Sequence, residues 1–365
     1  MGVTDISFRK RLALNLFQKH KAAEIKRHQL DYLMWECTLR CNLMCRHCGS
    51  DCRKDMAQKD MPLADFLQAI DQITPHVDPH RTMIVITGGE PLMRADLERC
   101  GRELYKREYP WGIVSNGFAM TKERLESLIA SGLRSVTISL DGLQESHDAM
   151  RGHPDSFRRA FDAIKRLVEK EDEITFDVVT CVSAHTFSEL PAVKEMLINA
   201  GVKRWRIFTI FPVGRASQFT DLQLPPEKFK QLFDFIRETR REGRIKLSYG
   251  CEGFLGSYET EVRDHFFFCR AGITVGSILV DGSISACPSI RANFTQGNIY
   301  NDHFMEVWNN RYQPFRNREW AKKGECADCN YFRYCQGNGI HLRDENGKLL
   351  FCHLKRLQEA DGSLL

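Results

Sequence analysis

Short apolar segments alternate with longer amphipathic segments between residues 31 and 241. The apolar segments have the length of buried strands and lie at residues 31–36, 82–87, 111–115, 135–140, 174–180 and 205–211. Amphipathic segments with helical spacing lie at residues 62–74, 95–108, 121–131, 145–170, 186–200 and 225–241. Six strands that are each followed by a helix predict a parallel sheet with right-handed crossovers. We therefore predict an α/β fold with a partial (β/α)6 TIM-like barrel, and the pattern alone leaves a doubly wound sheet open.

The N-terminal segment is predicted to form a basic amphipathic helix at residues 6–30. Its large apolar residues fall near one face and are Phe8, Leu12, Leu16 and Phe17. Basic residues surround this face, so membrane binding or peptide binding is one interpretation. We favour the alternative, in which the helix packs on its own domain and leaves a solvated basic rim.

The C-terminal third of the chain has a different pattern. After about residue 243 the helical periodicity weakens, and glycine, aromatic residues and cysteine dominate. The sequence therefore predicts three parts, namely the N-terminal helix (1–30), the partial barrel (31–242) and a cysteine-rich C-terminal domain (243–365).

Composition narrows the classes of function. The 365 residues include 52 Lys and Arg against 48 Asp and Glu, a net charge of +4 that argues against nucleic acid as a partner. The chain shows no apolar signal region and no transmembrane segment, so we expect a cytoplasmic protein. Its 14 cysteines favour metal binding, because cytosolic proteins seldom keep disulfides. Cys100 and Cys181 stand alone and are interpreted as small buried hydrophobes.

The most specific motif is Cys41-x3-Cys45-x2-Cys48, which directly follows the first predicted strand. A cubane [4Fe–4S] cluster has four irons that each take one thiolate, so three cysteines leave one iron open to a small molecule. The ring of His47 lies between two of these cysteines and is expected to stack on a planar ligand. Cys37 and Cys52 flank the motif, so the spacing alone leaves other assignments of the three ligands open.

Polar and glycine-rich segments follow the next strands, at the edge of the sheet where the cysteine motif lies. These candidate ligand-binding residues are Gly88, Gly89, Glu90, Pro91, Asn116, Ser139, Asp141 and Arg151. Glycines allow close approach of the backbone, and Glu90 is suited to an ammonium group. Hydroxyl, amide and carboxylate groups suit a ribose, and an arginine suits a carboxylate.

These motifs together resemble the radical S-adenosylmethionine superfamily over residues 31–215. The resemblance implies that Cys41, Cys45 and Cys48 hold a [4Fe–4S] cluster whose open iron binds S-adenosylmethionine. It also implies that Gly88–Pro91 hold the methionyl ammonium group, and that the later strand ends hold ribose and carboxylate. The implied activity is reductive cleavage to a 5′-deoxyadenosyl radical, which takes a hydrogen atom from a substrate and needs a reductant such as flavodoxin or ferredoxin.

The C-terminal cysteines form a second set. Cys326-x2-Cys329-x5-Cys335, followed by Cys352, supplies four thiolates, which suits a cubane and also a structural zinc ion. The spacing resembles the SPASM domain, which holds auxiliary [4Fe–4S] clusters, and this resemblance favours iron–sulfur.

The sequence leaves the ligand set of an inner auxiliary cluster open. Cys269-x12-Gly282-x4-Cys287 matches its usual motif, but Gly339 stands where SPASM domains usually have a further cysteine. Cys251 is a candidate third ligand, and either His341 or an open iron would complete the set. Absence of the inner cluster is the remaining alternative.

The resemblance implies oxidative modification of a peptide or protein, such as a cross-link or a desaturation, with epimerisation as another outcome. Pro288 stands where the sulfatase-maturing branch has a catalytic aspartate, so formylglycine formation is not expected. One rival interpretation is oxidation or maturation of a small molecule or cofactor. The non-enzyme rival is an iron–sulfur electron carrier or redox sensor, which would need neither an open iron nor the polar strand ends.

Overall fold

The computed structural model describes residues 2–250 and 252–362. The strands are β1 (Tyr32–Thr38), β2 (Met83–Gly88), β3 (Trp111–Ser115), β4 (Leu133–Ser139), β5 (Thr175–Val182), β6 (Arg204–Thr209), β7 (Lys246–Tyr249), β8 (Val275–Ile278), β9 (Ser283–Ser285) and β10 (Gly297–Asn298). The helices are α1 (Phe8–Arg27), α2 (Leu63–Ile73), α3 (Leu97–Lys106), α4 (Lys122–Ala130), α5 (Gln144–Arg151), α6 (Ser156–Val168), α7 (Leu190–Asn199), α8 (Pro226–Glu242), α9 (Phe304–Asn310), α10 (Gln313–Arg316), α11 (Phe332–Cys335) and α12 (His353–Ala360).

One sheet runs through the molecule in the order β10-β9-β8-β1-β2-β3-β4-β5-β6-β7. Strands β1 to β7 are parallel to their neighbours, β8 is parallel to β1, and β9 and β10 continue antiparallel. The order from β1 to β7 follows the chain without the reversal that defines a doubly wound sheet. The predicted α/β fold with a partial barrel is therefore confirmed, as are all six predicted strands.

The two faces of β1 have different surroundings because side chains alternate along a strand. Leu33 and Trp35 are fully buried towards the helices, and the Trp35 ring stacks on Phe66 of α2 with ring centroids 4.0 Å apart. Glu36 points to the opposite face, where its carboxylate accepts a hydrogen bond from Arg291 at 2.8 Å. The face opposite the helices therefore carries buried charge, which is a reason to look for chemistry there.

The predicted helix at residues 145–170 is two helices, α5 and α6. Gly152 has φ +69°, a left-handed conformation that closes α5, and its N–H donates to the Asp148 carbonyl at 2.9 Å. The break leaves Arg151 as the last residue of α5.

The predicted inner face of α1 is wrong for three of its four residues, although the helix itself is confirmed and Phe17 packs against Phe266. Phe8, Leu12 and Leu16 are 81%, 53% and 58% exposed, whereas Leu14 and Lys21 are buried. The Lys21 amine donates to the Tyr334 carbonyl at 2.7 Å and lies over three phenylalanine rings. A hydrophobic pattern cannot find an inner face that is built around a lysine, because the buried amine is satisfied by partners distant in sequence.

Residues beyond 242 take part in the same sheet through β7 and through β8 to β10. The division into parts at residues 30 and 242 therefore stays a prediction. Among the described residues, no helix combines the length and the apolar character needed to cross a bilayer.

Candidate metal and cofactor site

The cysteine loop after β1 brings several thiols together. Cys41, Cys45 and Cys52 belong to one small buried cluster, and Cys48 packs against it. Burial raises the pKa of Cys41 to about 12, with a further contribution from the Cys45 and Cys48 thiols. Thiols that lie this close together form a donor set that a metal would stabilise as thiolates.

The structure also separates the two flanking cysteines. Cys37 is fully buried within β1, on the side of the strand that faces the helices. Cys52 contacts Cys48, and the hydrogen bond between the two thiols lowers the pKa of Cys48 to about 5. Cys52 is therefore placed to donate a hydrogen bond to a ligand thiolate.

Glu90 connects the ends of β2 and β3. Its carboxylate accepts hydrogen bonds from the Asn116 N–H at 2.7 Å, the Ser115 hydroxyl at 2.8 Å and the Leu92 N–H at 3.1 Å. Burial raises the pKa of Glu90 despite these donors. The carboxylate thus fixes the position of Asn116, whose side-chain amide lies 3.9 Å from the Cys41 sulfur.

Glycine is required at positions 88 and 89 because neighbouring backbone atoms leave no space for a side chain. A Cβ on Gly88 would lie 2.1 Å from the Thr38 carbonyl oxygen, and one on Gly89 would lie 2.3 Å from the Arg40 carbonyl oxygen. Pro91 begins a short 3-10 turn that Glu90 caps. The Gly88–Pro91 segment therefore packs directly against the chain that leads into Cys41.

Asp141, Arg151 and His47 form a buried charged group beside the cysteines. The Arg151 guanidinium donates to the Asp141 carboxylate at 2.6 Å and approaches the Cys45 sulfur at 3.7 Å. Burial raises the pKa of Asp141, but Arg151 and the nearby His47 outweigh it and hold this pKa well below its usual range. His47 lies 3.4 Å from Asp141, and burial lowers its pKa to about 4, so the ring is neutral near pH 7.

Cys181 packs against a small hydrophobic cluster, as expected, and it also borders the charged group. Its N–H donates to the Asp141 carboxylate at 3.0 Å. Its sulfur and the ligand atoms of His47 and Asp141 all lie within 4.8 Å of one another. Ser139, the last residue of β4, lies two residues before Asp141. Cys100, by contrast, is fully buried in α3, as expected.

The four outer C-terminal cysteines converge although 26 positions separate the first from the last. Burial raises the pKa of Cys352 to about 11, with contributions from Cys326 and Cys329. Burial also raises the pKa of Cys335, with contributions from Cys352 and Cys326. The Cys326 sulfur accepts a hydrogen bond from Arg343 at 3.4 Å, and the Cys335 sulfur accepts one from the Asn338 N–H at 3.1 Å. Four thiols with hydrogen bonds to sulfur fit a [4Fe–4S] cluster.

The inner set is centred on Cys269. Burial raises the pKa of Cys269, but Arg318 and the N–H groups of Ile340 and Ala271 outweigh it, so the net pKa is lowered. Cys287 is half-buried and packs on the main core. Cys251, the candidate third cysteine, lies outside the described residues.

Sequence reasoning missed three basic residues at these sites, Lys21, Arg318 and Arg343. Each is a single residue without a motif, so no spacing signals it. Lys21 reaches the C-terminal cysteines from α1, close enough for Cys335 and Cys269 to affect its pKa. Burial has the larger effect and lowers the pKa of Lys21 to about 8.

We expect Lys21→Met to lower the midpoint potential of an auxiliary cluster, because a buried cation stabilises the more negative reduced form. Lys19→Met, an exposed neighbour on α1, is the matched control and should leave the potential unchanged. A redox titration followed by EPR measures both variants. Equal potentials in the two variants would show that Lys21 has no electrostatic effect on a cluster.

Two family profiles match this chain. The Radical SAM superfamily profile matches residues 35–197, and the iron-sulfur cluster-binding SPASM domain matches residues 269–330. The AdoMet-dependent heme synthase of Methanosarcina barkeri is 25% identical over 323 residues, which cover 84% of this chain and 90% of that protein. The mycofactocin maturase MftC of Mycolicibacterium smegmatis is 30% identical over 320 residues, which cover 84% of this chain and 76% of that protein.

A solved structure, Streptococcus suis SuiB bound to S-adenosylmethionine, has the same fold with a TM-score of 0.69 and 18% identity, over 96% of this chain and 83% of that chain. The chain belongs to the radical SAM superfamily and carries a SPASM domain. It is therefore an enzyme that uses S-adenosylmethionine and [4Fe–4S] clusters.

Proposed function

We propose that this enzyme oxidises a carbon centre of a peptide or protein substrate by hydrogen-atom abstraction. Cys41, Cys45 and Cys48 are assigned to the cluster with the open iron. That cluster, when present, supplies the electron that splits S-adenosylmethionine into methionine and a 5′-deoxyadenosyl radical. Flavodoxin or ferredoxin is the class of reductant that we expect to supply this electron.

The observation that carries the proposal is the contact between Arg151 and both the cysteine loop and Asp141. The same guanidinium lies 3.7 Å from the Cys45 sulfur and 2.6 Å from a fully buried carboxylate. An electron carrier would have no use for a buried ion pair at an open cluster, because burying charge is costly. We assign Arg151 to the carboxylate of S-adenosylmethionine, with Asp141 holding the guanidinium in position.

Each remaining strand-end residue is assigned to one chemical group of S-adenosylmethionine. We assign the backbone of Gly88 and Gly89, positioned by Glu90 and Pro91, to the methionyl ammonium group. Ribose and adenine contacts are assigned to Asn116, Ser139, Asp141 and His47. The neutral ring of His47 then presents an uncharged face to the cofactor.

The clusters that we assign to the C-terminal cysteines accept the electron that the substrate radical loses after hydrogen-atom abstraction. We assign Cys326, Cys329, Cys335 and Cys352 to an outer auxiliary cluster, and Cys269 and Cys287, with Cys251, to an inner one. Loss of a hydrogen atom followed by loss of one electron and one proton is a two-electron oxidation. Cross-linking and desaturation are reactions of this class.

A cofactor precursor is the second candidate substrate. It is favoured by the similarity to a heme synthase over 84% of this chain. Both substrate classes carry carboxylates, and Arg291, which pairs with Glu36 on the face opposite the helices, is suited to bind one.

The test uses the anaerobically reconstituted protein with S-adenosylmethionine and a reductant. We expect 5′-deoxyadenosine to form, and to form faster with the true substrate. Parallel reactions contain either a peptide encoded beside this chain or an iron porphyrin with propionate groups. Mass spectrometry of each substrate detects the loss of two hydrogens or of larger fragments. Product from the porphyrin alone would overturn the peptide assignment, and no 5′-deoxyadenosine under any condition would overturn the proposed activity.

Cys329→Ala should remove about four irons per chain, because a cubane needs its complete ligand set. The expected loss leaves the N-terminal cluster intact, so slow cleavage of S-adenosylmethionine without substrate should continue. Iron and acid-labile sulfide analysis measures the change, and Cys100→Ala is the control. Unchanged iron together with stoichiometric zinc would identify the outer site as structural zinc.

A further inference from the structure

We propose that the imidazole of His341 is an iron ligand of the inner auxiliary cluster, in place of a cysteine at position 339. This inference rests on the assignment of Cys269 and Cys287 to that cluster. It resolves the alternatives that the sequence leaves open at Gly339, namely another ligand, an open iron or no cluster.

The imidazole occupies the space that a side chain at position 339 would need. A Cβ built on Gly339 would lie 2.5 Å from the His341 Cε1 atom and 2.7 Å from Nδ1. Real Cβ atoms do not approach other atoms so closely, so a cysteine at 339 would require the imidazole to move from its observed position. The chain therefore presents a nitrogen donor where a thiolate would otherwise lie.

The same segment contacts a cysteine of the inner set. The N–H of Ile340, which lies between Gly339 and His341 in the chain, donates a hydrogen bond to the Cys269 sulfur. The Arg318 guanidinium forms a hydrogen bond with the Cys269 sulfur, and its charge also lowers the pKa of His341. Cys269 and His341 therefore border a common space, with one N–H and one guanidinium already directed at the sulfur.

The ring is held in position within the protein. It packs against Phe211, which follows β6, with ring centroids 4.8 Å apart and an interplanar angle of 52°. The turn that carries it is tied down, because the Gly339 N–H donates to the Glu252 carbonyl at 3.0 Å. A fixed imidazole is a suitable iron ligand, since orientation is what the surrounding protein must supply.

A histidine ligand has a chemical consequence for the cluster. Neutral imidazole donates less electron density to iron than thiolate does, and replacement of cysteine by histidine raises the potential of iron–sulfur centres. A cluster with this ligand accepts an electron more readily than an all-cysteine cluster. That property suits a cluster that accepts an electron from the substrate.

The experiment uses the full chain, reconstituted anaerobically and labelled with 15N-histidine. Pulsed EPR of the reduced protein is expected to show a strong coupling from an iron-bound nitrogen. His341→Ala should abolish this coupling and remove up to about four irons. His80→Ala, whose side chain is 69% exposed, is the matched control and should change neither quantity.

His341→Cys provides the second arm. We expect this variant to keep the iron, to lose the nitrogen coupling and to have a lower cluster potential. A wild-type protein with iron for only two cubanes, or a nitrogen coupling that survives in His341→Cys, would overturn the inference. Either result leaves cleavage of S-adenosylmethionine unaffected, so failure of this inference is distinguishable from failure of the proposed function.

Discussion

A variant with Cys41, Cys45 and Cys48 all replaced by alanine should form no detectable 5′-deoxyadenosine. Under the proposed assignment these three thiols, out of the four that lie together in the loop after β1, hold the cluster that supplies the cleaving electron, so their removal should eliminate it. The C-terminal cysteines lie in a separate part of the chain, so their iron should remain. Chromatography of the reaction mixture and iron analysis of the protein measure the two quantities on one sample.

Two control variants make this result specific. Cys100→Ala removes a fully buried cysteine of α3 and should cleave S-adenosylmethionine at the normal rate. Cys52→Ala removes the hydrogen bond to Cys48 but leaves three ligands, so cleavage should continue. If Cys52→Ala is inactive and Cys48→Ala is active, the third ligand is Cys52 and the assignment within the loop is wrong.

Much of the fold could be predicted because each of the first six strands is a short apolar run that an amphipathic helix follows in the chain. The same regularity places the carboxyl ends of the strands at one edge, which is why residues from Cys41 to Arg151 could be expected to meet. Their detailed contacts could not be predicted. Glu90 was expected to bind an ammonium group directly, whereas its carboxylate joins Ser115, Asn116 and Leu92.

The inner face of α1 and the basic residues around the C-terminal cysteines escaped prediction for a related reason. Lys21, Arg318 and Arg343 are buried only because carbonyls and thiols from distant segments satisfy them. Such long-range pairing leaves no periodic signal in the sequence, and a rule based on hydrophobicity assigns these residues to the surface. The strongest electrostatic features of the auxiliary sites therefore become visible only in three dimensions.

The Arg151→Met variant should bind S-adenosylmethionine about 10- to 100-fold more weakly, because it loses a charged hydrogen bond worth about 1.5–3 kcal/mol. Arg151 also neutralises Asp141, whose side chain is fully buried. Removal of one partner of a buried ion pair costs about 3–5 kcal/mol in the free energy of unfolding. Equilibrium dialysis and chemical denaturation under anaerobic conditions measure the two losses.

The pH dependence of this destabilisation follows from the sign of the Asp141 shift. In the wild-type protein Arg151 holds the pKa of Asp141 below its ordinary value, so the pair contributes stability above about pH 4 and loses it as the pH falls further. In Arg151→Met the largest influence that lowers the pKa of Asp141 is removed, while His47, His147 and the Cys181 N–H remain. This pKa therefore rises and the carboxyl protonates more readily. The stability difference between the two proteins should be largest near pH 8 and shrink towards pH 5. Arg158→Met, which breaks an exposed pair with Asp155, is the control and should leave the free energy of unfolding nearly unchanged at either pH, because solvent screens an exposed pair. Cofactor affinity that is unchanged in Arg151→Met would remove Arg151 from the proposed binding site, even if the protein were destabilised as expected.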